Sequence, residues 1–156
     1  MYKIPVSYAN PFDESQTIKK DIYFNLNLAE MTRYRAVGGL ADKLRKLELV
    51  DRDTPEGEEF IYTFFEELIQ KSYGERTEDD RFIKKAESQA AFMDSEDYSQ
   101  CLWHLLFVEN ATENATNFVN NLFPKDMMEK AAQLEEIERK KADKGEPARS
   151  PLDDLS

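Results

Sequence analysis

Residues 94–108, DSEDYSQCLWHLLFV, decide how the chain is read. Tyr98, Cys101, Leu102, Leu105 and Leu106 recur at i, i+3, i+4, i+7 and i+8, the stripe of a helix that faces a core. Trp103 and Phe107 lie well round from that stripe and form a second apolar strip. A helix apolar on two faces is either buried on both or shares one with a subunit or a client. Trp103 and Phe107 are therefore the first candidate partner surface.

The same period extends to both sides. Over 112–122, Ala115, Phe118, Val119 and Leu122 make an inward face, and Phe123-Pro124 stops the helix. Over 57–73, Ile61, Phe64, Phe65, Leu68 and Ile69 repeat the core pattern. Phe60 and Tyr62 widen that helix's apolar surface and are the second candidate surface. Gly74 stands where a left-handed C-terminal cap is wanted. A brief helix is expected over 87–93. Residues 51–57, DRDTPEG, form an acidic loop. Counted from Asp51 as a calcium loop, it puts Gly57 at position 7 and Tyr62 at position 12, where an EF-hand needs Gly at 6 and Glu at 12.

Further back, Asn27 and Glu30 have the spacing of a capping box, so a helix is predicted over 28–37. Gly38-Gly39 breaks it. Leu40, Leu44 and Leu47 then resume a stripe, with Lys43, Arg45 and Lys46 turned away. At the N-terminus Tyr2, Ile4, Val6 and Tyr8 alternate with Lys3, Pro5 and Ser7, a half-buried strand that Pro5 assigns to a sheet edge. Thr17, Ile18, Ile22, Tyr23 and Phe24 are β-prone, so a hairpin with a long loop over 10–16 (NPFDESQ) is expected. A lone hairpin is marginal, so one face must lie on helices.

Beyond Pro124 the pattern thins. Met127, Ala131, Leu134 and Ile137 give a sparse stripe. Glu135 with Arg139 and Glu136 with Lys140 are i,i+4 pairs in the favourable order. A solvated helix to about 142 is expected, then a flexible end after Gly145, Pro147 and Pro151. The resulting fold is mainly α with a small N-terminal β-hairpin, an α+β chain. Its core, 1–124, comprises the hairpin (2–26) and about five or six helices (28–122). Residues 125–156 make a mixed-charge extension.

At 156 residues the chain has room for one domain and a tail. Its 32 acidic and 21 basic side chains give a net charge of −11. That balance argues against nucleic-acid backbones and anionic membranes as partners. The charge is unevenly spread: net +3 over 1–47, −10 over 48–97, −2 over 98–124 and −2 over 125–156. One cysteine, Cys101, leaves no intramolecular disulfide, and no apolar run reads as a signal peptide or a membrane span, so a cytoplasmic protein is expected.

Catalytic groups are sparse. His104, the single histidine, forms a Cys-x-x-His with Cys101. Two ligands are too few for zinc, and a thiol on an apolar stripe is normally inert packing. There is no Walker loop, no GxGxxG and no GxSxG, and five glycines are little from which to build a phosphate cradle. Glu58-Glu59, Glu66-Glu67 and Asp79-Asp80 sit in exposed runs with nothing to desolvate one member. No catalytic, metal-binding or cofactor-binding residue is assigned.

Several patches together resemble the tail assembly chaperones of long-tailed bacteriophages. They are the opening Met1-Tyr2-Lys3, Tyr23-Phe24-Asn25-Leu26 running into Ala29-Glu30-Met31, and the helix end Ile69-Gln70-Lys71-Ser72-Tyr73-Gly74. Thr77-Glu78-Asp79, Arg81-Phe82-Ile83-Lys84, Phe92, Ser95-Glu96, Tyr98-Ser99 and Phe118-Val119-Asn120 before Pro124 follow in the same order. The resemblance covers about residues 1–124. It implies a non-enzymatic protein of the infected bacterial cytoplasm, absent from the mature virion. Such proteins coat the tape measure protein, keep it soluble and help recruit tail tube subunits. They commonly occur beside a longer form of themselves made by ribosomal frameshifting, and a homo-oligomer is compatible with this. Lys140-Lys141 would suit a slippery codon run. Two other classes compete: a structural tail or completion subunit of the virion, and an acidic DNA mimic that blocks a host nucleic-acid enzyme.

Overall fold

The computed structural model describes residues 1–143. The flexible end expected after Gly145 lies outside the described residues. Among the described residues seven helices and four strands are formed, and the class is α+β, mainly helical with an N-terminal hairpin. The chain divides into two compact units. One comprises residues 1–26 and 49–122, the other 27–48 and 123–156.

In the first unit, β1 (Tyr2–Asn10) and β2 (Asp13–Phe24) pair antiparallel, with Ile4 opposite Ile22 and Tyr2 opposite Phe24. Alternation holds: Ile4, Val6, Ile22 and Phe24 are buried, while Lys3, Pro5 and Ser7 face out. The sheet order β1-β2-β3-β4 leaves Pro5 on an edge, as its missing N–H requires. The expected long loop is absent. Only Pro11 and Phe12 separate the strands, and the register shifts between Ala9 and Asn10. Side chains supply what a glycine turn would: Asn10 Oδ1 accepts from the Phe12 N–H at 2.9 Å, and Asp13 Oδ1 from the Ser15 N–H at 3.1 Å.

Helix α3 (Pro55–Ser72) starts at Thr54, whose hydroxyl accepts from the Gly57 N–H at 3.1 Å, with Pro55 in the first turn. Ile61, Phe64, Phe65, Leu68 and Ile69 are all buried. The chain then leaves the helix differently from the expectation for Gly74. Tyr73 ends α3 in an extended conformation, and β3 (Tyr73–Arg76) joins β2 while pairing with β4 (Phe82–Ile83). Gly74 is a glycine because the Phe82 ring lies where a Cβ would stand, and its φ is not positive.

Helices α4 (Ala86–Met93), α5 (Glu96–Leu106) and α6 (Ala111–Leu122) complete the unit. Phe24, wholly buried, centres an aromatic core: its ring centroid lies 5.5 Å from Phe118, 6.2 Å from Phe92 and 6.3 Å from Tyr73. Tyr73 stacks on Phe92 at 3.9 Å. Such edge-on and stacked pairs add about 0.5–1.5 kcal/mol each beyond their buried area.

The second unit contains α1 (Leu28–Val37), α2 (Leu40–Leu49) and α7 (Lys125–Asp143), with Leu49 itself falling in the first unit. The capping box forms in full: Asn27 Oδ1 accepts from the Glu30 N–H at 2.9 Å, and Glu30 Oε1 from the Asn27 N–H at 3.1 Å. Gly39, at φ 69°, turns the chain between α1 and α2. Lys43 does not point away as expected; its ammonium lies over the Tyr34 ring, 5.4 Å from the centroid. Nor is α7 merely solvated, because it packs against α1. Ala131 is fully buried, and Arg35 Nε approaches Glu135 Oε2 to 2.7 Å. That approach is off the N–H direction, so it is an ion pair without a directed hydrogen bond. Glu135–Arg139 and Glu136–Lys140 form at 3.4 and 3.7 Å.

Candidate functional site

Helix α5 lays Cys101, Leu102 and Leu105 into the core of the first unit and turns its other strip outward. Trp103 is 57% exposed and Phe107 52%, with ring centroids 5.4 Å apart. The open alternative from the sequence is thereby decided: the second strip is surface. Ser95 starts the helix, its hydroxyl accepting from the Tyr98 N–H at 3.3 Å. At the other end Phe107 caps α5 through its own N–H to the Trp103 carbonyl at 2.9 Å. The two rings are thus fixed at a helix terminus rather than on a loose loop.

Beside them a cleft of about 380 Å³ opens between α3, the end of α5 and the start of α6. Ile61, Phe65, Leu105 and Ala115 form its buried floor, and Tyr62, Leu106, Phe107 and Ala111 its sides. Tyr62 and Phe107, drawn from separate candidate surfaces, therefore meet at one place. Phe60 does not join them. It is half-buried and stacks on Phe64, with centroids 5.6 Å apart. The contributions of Arg52 and Thr112 were not readable from the sequence. Arg52 Nη1 donates to Thr112 Oγ1 at 3.1 Å across a gap of 60 residues. Only tertiary folding brings those two together.

The groups that could have suggested catalysis are placed unfavourably for it. Burial, helped by the Asp97 charge, pushes the Cys101 thiol well up, the reverse of an activated nucleophile. Burial lowers His104. Tyr98 donates to Glu66 Oε2 at 3.2 Å and ties α5 to α3, and burial raises its phenol. Among the described residues no group of three or more His, Cys, Asp or Glu side chains is arranged to hold a metal, and no helix is long and apolar enough to cross a membrane. A second depression, about 370 Å³, is lined by Tyr73, Glu75, Glu87, Phe92 and Asp97. Its Asp97 is engaged by Lys20 and by the Tyr8 hydroxyl, both at 2.7 Å.

No curated protein and no solved structure matches the chain. A family model described as phage tail assembly chaperone matches residues 1–154, so the likeness runs past residue 124, where the resemblance in the sequence had stopped. With nearly the whole chain matched, the protein belongs to the phage tail assembly chaperone family.

Proposed function

We propose that this chaperone binds the tape measure protein of its phage, keeps it soluble and helps recruit tail tube subunits around it. On this reading it acts in the cytoplasm of the infected bacterium, alone or with a longer frameshifted form, and leaves before the virion is complete. The observation that carries the reading is the outward Trp103–Phe107 pair beside an apolar cleft. A protein that keeps an apolar helical client in solution needs such a surface, and fixed aromatic rings supply large contact area at little cost in conformational entropy. The net charge of −11 favours solubility of a loaded complex.

Co-expression with the tape measure protein of the same phage tests the reading. Client in the soluble fraction that co-elutes with this chain is the expected result. Client that stays insoluble with either the short or the longer form present would sink it. Trp103→Ala combined with Phe107→Ala is expected to keep the circular dichroism of the fold and to lose client solubilisation. A folded variant that still solubilises the client would remove the pair from the binding surface. Mass spectrometry of purified virions is expected to find the chain missing.

A further inference from the structure

The cleft carries a charge pattern that a purely apolar client surface does not require. From Asp53 to Gln70 and from Tyr98 to Pro124 the chain holds no lysine or arginine. These stretches supply most of α3, most of α5 and all of α6, the elements that build the cleft. They hold eight acidic residues instead, of which the exposed Glu58 lines the cleft. Arg52 is the one cation on the lining, and its guanidinium is turned onto the Thr112 hydroxyl. An apolar floor and exposed aromatic rings thus coincide with wall helices that carry acids and, over these stretches, no lysine or arginine.

We propose that this cleft receives a basic amphipathic helix. Large apolar side chains at i and i+4 would enter beside Tyr62 and Phe107 and lie along Trp103, while a flanking lysine or arginine meets Glu58. A helix is the form that fits. The cleft is walled by helices and offers no strand edge to an extended peptide, whereas a helix satisfies its own backbone. At about 380 Å³ the cleft takes anchoring side chains, not a helix body, whose diameter is about 10–12 Å. The proposal rests on the chaperone reading only for which protein supplies the helix.

Trp103 is the single tryptophan, so its emission reports occupancy directly. The probes are two synthetic amphipathic helices with the same Leu/Phe stripe, one flanked by lysines and one by glutamates. The lysine-flanked peptide is expected to shift Trp103 emission to the blue with saturation, and to bind more weakly as salt rises. The glutamate-flanked peptide is expected to give no saturable shift. Phe107→Ala should weaken the first peptide by roughly 30-fold, as loss of a central aromatic anchor does. Glu58→Lys, an exposed position on the lining that leaves the core untouched, should weaken the lysine-flanked peptide and narrow the preference between the two.

Equal binding of the two peptides, or a shift indifferent to Phe107→Ala, overturns the proposal. So does a blue shift that grows with the concentration of this chain alone and tracks a larger species on size exclusion, because a second copy then fills the cleft. The chaperone reading fails separately, by client that stays insoluble, and the peptide titration is independent of that result.

Discussion

Glycines that look alike in the sequence do different work in the folded chain. At Gly57 a Cβ would run into the backbone carbonyl of Asp51, which cannot swing aside. At Gly74 it would meet the ring of Phe82, a half-buried side chain that can turn. Gly57→Ala is therefore expected to cost about 1–3 kcal/mol by urea unfolding, and Gly74→Ala less; the reverse order would refute the distinction. His104 gives a pH dependence of known sign. Burial lowers its pKa, so the folded chain holds the ring neutral while the unfolded chain takes the proton first. The contribution is present above the unfolded pKa of about 6.5 and is lost as pH falls from there through the lower folded pKa. His104→Gln should lose less stability than the natural chain between about pH 7.5 and about pH 5.5. Equal losses would place the acid sensitivity in the carboxylates instead.

Elements with a strong period were legible, and elements made by partners were not. Helices α3, α5 and α6 follow directly from apolar spacing. Helix α1 has a hydrophobic stripe of little contrast but a complete cap, so its start at Asn27 was readable all the same. Asn27→Ala is expected to remove about 1 kcal/mol and to fray α1 alone, seen as faster amide exchange over its first turn. Strands β3 and β4 were missed because Tyr73–Arg76 and Phe82–Ile83 are too short to show a period, and only pairing with β2 makes the first of them a strand. The hairpin turn was misjudged for a related reason: Asn10 and Asp13 stand in for a glycine through their side chains. In the candidate site, a second apolar strip with Trp103 and Phe107 was visible from spacing, but that it faces outward was not. Their meeting with Tyr62 was not, since it depends on how α3, α5 and α6 converge.

At the scale of the whole chain, each unit is assembled from two separate stretches of sequence, and the chain passes between the units three times. Removal of residues after Pro124 therefore takes away more than a tail. Met31 and Ala131, both buried, belong to one unit with α1 and α7 in mutual contact. A chain ending at Pro124 is expected to lose the helical signal of α1 as well as that of α7. Its Cys101, fully buried in the other unit, should stay unreactive toward a thiol reagent. Helicity of α1 that survives the truncation would show that it stands without its partner.

The pairing of Arg35 with Glu135 also sets a timetable. The first helix to leave the ribosome waits for the last one, some 100 residues later. At about 5–20 residues per second that interval is roughly 5–20 s, during which α1 lacks α7 to pack against. Vectorial synthesis thus finishes the aromatic unit before the second can close on α7.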